Sequence, residues 1–137
     1  MNLSVIIVNW NTRDLLRECL KSVLKQTKGL DYEVLVVDNG SSDDSVRMIK
    51  KAFPWIKLME NRENLGFSKA NNQAIRRARG EFILLLNSDT KIAENAFKKM
   101  VDFARANPQI GVLGPRLLNA DGNSQASTAP FYFLGVA

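Results

Sequence analysis

Apolar residues along the chain fall into two alternating rhythms. Short, near-continuous runs rich in Val, Ile and Leu occupy residues 3–8 (LSVIIV), 33–37 (EVLVV) and 81–86 (EFILLL), with a weaker run at 56–60 (IKLME). These read as strands. Between them lie longer segments of helical period. Over 12–27, Leu15, Leu16, Cys19, Leu20, Val23 and Leu24 fall on one stripe, which marks an amphipathic helix that Thr12 or Asn11 is placed to cap. A second helix is expected over about 43–53, ending before Pro54, and a third over 67–79, stopped by Gly80. A fourth covers 93–106 before Asn107-Pro108. Residues 110–114 (IGVLG) read as a fifth strand and Asp121-Gly122 as a tight hairpin turn, while 127–137 show no period.

Strands that alternate with helices imply βαβ units and a parallel sheet with helices on both faces. The near-continuous apolar strands agree, because strands covered on both sides need no polar alternation. No repeat or linker interrupts the pattern, so the expected organisation is one α/β domain over 1–137, close to the commonest domain size.

Composition narrows the chemistry. The chain has no histidine and a single cysteine, Cys19. A Ser-His-Asp site, a His-ligated zinc, a multi-Cys metal site and an internal disulfide are therefore excluded. Any metal must be held by oxygen, and any base must be a carboxylate, Lys or Tyr. The formal charge of +5 comes from 19 basic and 14 acidic residues, with the bases spread along helices and interrupted by acids. Solvated helix faces account for this, and no nucleic-acid stripe is expected. No apolar run approaches the roughly 20 residues of a membrane helix. The first run lacks a preceding basic region, so it reads as a strand instead of a signal peptide, and a cytoplasmic location is expected.

Ligands of open α/β sheets bind at the carboxyl ends of the strands. Those ends carry Asn9, Asp38-Asn39, Glu60-Asn61 and Asn87-Ser88-Asp89. Any one amide or carboxylate there is an ordinary loop or cap residue. Four of four form a ring of hydrogen-bonding groups along one edge. Asp89 follows the most apolar strand and is the natural ligand for Mg²⁺ or Mn²⁺, one carboxylate being joined by phosphate oxygens and water. The alternative is that Asp89-Thr90 caps the next helix. The first turn, VNWNT, has no glycine, which argues against a dinucleotide fold, and no phosphate-binding P-loop is present. In NLGFSKANNQ, Gly66 permits a special turn. Asn71 and Asn72 are adjacent in a helix, so at least one must turn away from the core toward the cleft.

The ordered set VIIVNWN, VVDNGSSDDS, NLGFSKANN and LLLNSDT resembles the N-terminal part of family 2 glycosyltransferases with the GT-A fold, and most of all their rhamnosyltransferase-like branch. The set spans residues 3–90, and 110–125 resemble that branch's continuation. The resemblance implies an inverting transfer of a sugar from a UDP- or dTDP-sugar to a glycan or lipid-linked acceptor in cell wall or polysaccharide synthesis. It implies that Asp38 hydrogen-bonds the nucleotide base in a pocket lined by Val8 and Asn9, with Asn61, Gly66, Phe67, Asn71 and Asn72 also on the donor side. Asn71 falls where many members carry an arginine, and Asn72 on a recurrent asparagine. Asn87-Ser88-Asp89 occupies the DXD motif with Asn87 in place of its first acid. The divalent metal, Mn²⁺ or Mg²⁺, then rests on Asp89, and Asn87 contacts the ribose or donor sugar.

The resemblance also places the general base in an acceptor-binding half beyond Ala137, since Asp121 is the only acid after Asp102 and lies in the hairpin turn. Residues 1–137 alone are expected to be inactive, and a non-catalytic nucleotide-sugar-binding module is the alternative. Peripheral association with the inner face of the membrane belongs to the same expectation for a longer protein.

Overall fold

The computed structural model describes residues 1–119 and 121–126; the patternless residues 127–137 lie outside the described ones. Four strands and four helices alternate: β1 Leu3–Asn9, α1 Arg13–Gln26, β2 Tyr32–Asp38, α2 Ser45–Ala52, β3 Lys57–Glu60, α3 Phe67–Ile75, β4 Phe82–Asn87 and α4 Ala96–Ala106. The strands form one sheet in the order β3-β2-β1-β4, and every pairing is parallel. Asn9 pairs with Asp38, Val8 with Asn87, and Asp38 with Glu60. The polar strand ends therefore lie side by side.

The sheet's two faces are covered unequally. On one, Leu3, Val5, Ile7, Val34 and Val36 pack with Leu16, Leu20 and Val23 of α1, Met48 and Ile49 of α2, and Phe97 and Val101 of α4. On the other, Ile6, Leu35 and Val37 meet only Ala70 and Ala74, whose small side chains let α3 lie close over β1 and β2. Strand β4 is thus an edge strand in these residues, with Ile83 46% and Leu85 48% exposed. The expectation that every apolar strand is covered on both faces is corrected there: α3 packs over β1 and β2 and leaves Ile83 and Leu85 of β4 exposed.

Two further corrections concern local structure. Residues 110–114 form no strand; they pair with nothing in the sheet, and Val112 is 93% exposed. An apolar run flanked by glycines becomes a strand only if a sheet edge receives it. The turn at Asp121-Gly122 is present, with Leu118 bridging Ser124 and Gly122 at φ +84. Secondly, Thr12 does not cap α1; its hydroxyl meets Asn9 Oδ1 (2.7 Å) and Ser88 Oγ (2.9 Å) instead. The first amide of α1, Arg13 N–H, donates to Asp43 Oδ2 from thirty residues away (2.8 Å), and Asp43 Oδ1 accepts from Ser45 N–H and Oγ at the start of α2. One carboxylate thereby serves two helix N-termini, where negative charge is favoured.

Helix α3 ends at Ile75, four residues earlier than its sequence period suggests. The N–H groups of Arg79 and Gly80 are drawn to a buried polar cluster at the opposite edge of the sheet. Ser4 Oγ donates to Glu33 Oε1 (2.6 Å) and accepts from Gly80 N–H (2.8 Å), while Arg79 N–H donates to Glu33 Oε1 (2.7 Å). Lys57 closes the cluster as an ion pair with Glu33. A Cβ on Gly80 would stand 2.4 Å from the backbone N of Ser4, so this approach requires glycine.

Burial opposes ionisation of both acids, but hydrogen bonds outweigh it. Those of Lys57, Ser4 and Arg79 N–H hold the Glu33 carboxyl below its usual range, and those of Ser45 and Arg13 N–H do so for Asp43. A lowered folded-state pKa contributes stability above the unfolded-state value and loses it as pH falls through the folded value. Glu33→Ala should lower stability by about 1–3 kcal/mol in urea unfolding at pH 7, because Ser4 and Arg79 N–H lose a buried acceptor. Asp43→Asn should cost about 1 kcal/mol at pH 7. It should also flatten part of the stability loss that the parent chain shows as pH drops below about 5, read from thermal unfolding across that range.

Candidate functional site

The strands end where the sequence placed their polar residues, at Asn9, Asp38, Glu60 and Asn87. Since all four run parallel, these ends share one edge of the sheet. Asn9 is fully buried, and its Nδ2 donates to Asp38 Oδ1 (2.8 Å) and Ser41 Oγ (3.0 Å). Asp38 is 1% exposed; its second oxygen accepts from Ser41 N–H (2.9 Å). Both oxygens of Asp38 are thus engaged from within, and in this conformation the carboxylate forms the floor of the β2–α2 loop. Val8 is half-buried beside Ile6 and Val37.

The loops after β1 and β2 are laced together. Asn11, at φ +53, accepts from Ser42 N–H through Oδ1 (2.8 Å), and its own N–H donates to Ser41 Oγ (2.9 Å). With Arg13 N–H on Asp43, these bonds wall a cleft of about 500 Å³ between the starts of α1 and α2. Asp43 already occupies the charge-favoured position there, so a phosphate has no claim on it. Trp10, at the end of β1 and 54% exposed, stands free. Its position after a polar strand end was the available sequence signal for it.

A second group joins the ends of β2 and β3 to α3. Asn39 is 1% exposed and its Nδ2 donates to Asn64 Oδ1 (3.0 Å), while Asn61 Nδ2 donates to Asn39 Oδ1 (2.9 Å). Gly40, at φ +77, allows the contact: a Cβ there would lie 2.9 Å from Glu63 Cα. Gly66, at φ +82, turns the chain into α3 and is held by Asn64 Oδ1 on its N–H. Phe67 is exposed. Of the two adjacent asparagines, Asn71 is buried with Nδ2 on Phe67 O (2.9 Å), whereas Asn72 is exposed. One turns outward, as their adjacency requires.

The ends of β3 and β4 are open; the exposed Glu60 carboxylate is paired with Lys50 (2.7 Å), and the end of β4 has no such ion pair among the described residues. Asn87 and Asp89 are exposed, and Ser88 is half-buried under the Thr12 hydroxyl. Asp89 caps no helix, because α4 begins at Ala96 and residues 88–89 form a turn closed by Thr90 N–H on Asn87 O (3.3 Å). Beneath it, the Cys19 thiol donates to Asn87 O, and burial together with the Asp89 charge pushes its pKa up to about 12. Cys19 is therefore no thiolate ligand. Among the described residues no three of His, Cys, Asp and Glu cluster. A closed protein cage for a metal is absent there, but a single exposed carboxylate with oxygen neighbours fits a hard cation that takes its other ligands from phosphate and water. Asp121 is engaged locally: its oxygens accept from the N–H and Nδ2 of Asn123 within its own turn. Among the described residues no helix is long and apolar enough to cross a membrane.

Comparison with known proteins agrees with this geometry. Residues 4–134 match the model of glycosyl transferase family 2. The chain is 35% identical over 119 residues to the poly(ribitol-phosphate) beta-glucosyltransferase of Bacillus spizizenii, covering 83% of this chain and 19% of that enzyme. It superposes on Staphylococcus aureus TarS in complex with UDP-GlcNAc with TM-score 0.70 and 30% identity, over 79% of this chain and 32% of the other. It also superposes on the mannosyltransferase PcManGT of Pyrobaculum calidifontis, in complex with GDP-Man and Mn²⁺, with TM-score 0.74 and 28% identity, over 80% and 34%. The chain thus spans about a fifth to a third of these proteins' lengths. The match over nearly its whole length, on a parallel α/β sheet with its polar strand ends on one edge, makes the chain a member of glycosyl transferase family 2.

Proposed function

We propose that this chain binds the nucleotide-diphosphate donor of an inverting glycosyltransferase, a UDP- or dTDP-sugar, whose acceptor is a glycan or lipid-linked polymer. The observation that carries the reading is the division of the carboxyl edge. Its β1–β2 side is a preformed floor whose carboxylates, Asp38 and Asp43, are already engaged by internal hydrogen bonds, and its β4 side presents an exposed carboxylate, Asp89, beside Asn87. A base and ribose suit the first, a diphosphate with its cation the second. The names of the relatives, which include a poly(ribitol-phosphate) glucosyltransferase and a UDP-GlcNAc complex, support the substrate class.

In the proposed arrangement Val8 and Asn9 border the base, and Asp38 holds the 39–44 loop around it. The exposed Trp10 offers an indole face for stacking. Asn61, Gly66, Phe67, Asn71 and Asn72 shape the donor side of the α3 entry. Asn87 contacts ribose or sugar, Ser88 is fixed by Thr12, and Asp89 holds Mn²⁺ or Mg²⁺. When bound, that ion neutralises the charge that the departing diphosphate takes with it. Transfer forms the bond from the acceptor oxygen to the anomeric carbon and breaks the bond to phosphate, and the acceptor's proton passes to a general base. No described carboxylate of this chain is assigned to that last step.

Calorimetry of the chain with UDP should show binding that strengthens at least about tenfold when Mn²⁺ is present, about 1.4 kcal/mol. Asp89→Ala should abolish that metal-dependent gain and leave uridine affinity unchanged. Equal UDP affinity with and without metal would remove the ion from the reading, and equal losses for UDP and uridine would remove Asp89 from the phosphate side.

A further inference from the structure

Four neutral carboxamides form a continuous chain beneath the carboxyl edge. Gln73 of α3 and Asn61 exchange two hydrogen bonds: Gln73 Nε2 donates to Asn61 Oδ1 (3.1 Å), and Asn61 Nδ2 donates to Gln73 Oε1 (2.9 Å). The other proton of Asn61 Nδ2 goes to Asn39 Oδ1 (2.9 Å). Asn39 Nδ2 then spends both protons, on Asn64 Oδ1 (3.0 Å) and on Gly66 O (3.4 Å). The donor-to-acceptor sense is fixed by the backbone of Gly66, whose carbonyl requires the Asn39 nitrogen and whose N–H requires the Asn64 oxygen; each further amide must then match its neighbour. Asn39 is 1% exposed, so a break in the chain would strand buried polar groups that water cannot reach.

The chain ties three parts of the proposed donor site together: the end of β2, the loop after β3, and the entry to α3 at Gly66. We infer that Gln73 is a positioning residue for nucleotide binding, setting the 61–66 loop and Asn39 through its reciprocal pair with Asn61. This rests on the donor-site reading above. Gln73 stands on the second turn of α3 and is not among the strand-end residues. What distinguishes it from an ordinary half-buried glutamine is that both its amide atoms are committed to the one side chain, Asn61, that also holds Asn39.

The fixed polarity supplies the test. Gln73→Glu keeps the shape and the acceptor for Asn61 Nδ2, but an ionised carboxylate sets an oxygen against Asn61 Oδ1. Protonation restores a donor there. Gln73→Leu removes both bonds at every pH. The charged groups on the surrounding elements are Lys69 on α3, Arg76 and Arg77 just after it, Lys57 and Glu60 of β3, Arg62 and Glu63 in the loop, and Glu33 and Asp38 of β2. They are common to all three proteins and cancel when each variant is compared with the parent chain at the same pH.

UDP affinity with Mn²⁺ present would be measured for the parent chain and both variants at pH 7.5 and about 4.0, just below the ordinary glutamate value of about 4.3, with thermal unfolding of each as a control for folding. Gln73→Glu should bind at least about fivefold more weakly than the parent at pH 7.5 and recover to within about twofold of it at the acid pH. Gln73→Leu should be equally weakened at both pH values. A parent chain that binds UDP, with Gln73→Glu matching it at both pH values or losing affinity without acid recovery, would overturn the positioning role alone. A parent chain that does not bind UDP would overturn the donor-site reading and this assignment with it.

Discussion

Parallel strands cannot be joined by tight turns, so each must be followed by a crossover that returns the chain to the same starting edge. In this chain that constraint acts through β1, which is paired in parallel with β2 on one side and β4 on the other. Its consequence is that Asn9, Asp38, Glu60 and Asn87, spread over nearly eighty residues, become neighbours. Every crossover also delivers a helix start to that edge. The site is therefore made of strand ends and helix entries, and its width is set by the spacing between strands.

Polar groups at the two edges of the sheet have different work. At the starting edge, the Ser4–Glu33–Lys57 cluster satisfies the N–H groups released where α3 stops, and so fixes the return into β4. At the carboxyl edge, buried neutral amides and two internally engaged carboxylates, Asp38 and Asp43, hold the loops. The floor carboxylates are consumed by internal hydrogen bonds, Glu60 at the end of β3 is paired with Lys50, and among the described residues the β4 end presents an exposed carboxylate, Asp89, without such a partner. That partition is what a ligand with an apolar, hydrogen-bonding base and an anionic diphosphate requires. The proposed function is compatible with the absence of histidine, since neither holding a hard cation nor binding a nucleotide calls for imidazole.

The strands β1, β2 and β4 and the ends that carry Asn9, Asp38 and Asn87 were legible in the sequence. An apolar run bounded by polar residues states its own limits, and the ordered motifs over 3–90 identify the family. The run at 110–114 misleads because strand propensity needs a partner edge, and that segment has none among the described residues. The cap of α1 misleads for a related reason. Thr12 is the right residue type in the right place, yet Asp43, which the fold brings in from the next loop, takes the amide. Gln73 carries no local signal, because a glutamine on a helix is ordinary until its partner is known.

What the sequence determined by itself is periodic or adjacent: which segments are strands and helices, that the sheet is parallel, and which residues stand at the strand ends. These follow from side-chain alternation and chain connectivity, and both are written along the chain. Only the tertiary structure decided which of those end residues are open and which are consumed. Asp38 and Asn39 are sealed by Asn9, Ser41, Asn61 and Asn64, while Asp89 is exposed and has no such partner among the described residues. The physical reason is that hydrogen-bond satisfaction depends on distance in space. A carboxylate's availability is fixed by neighbours that may lie thirty residues away, and a one-dimensional pattern does not contain them.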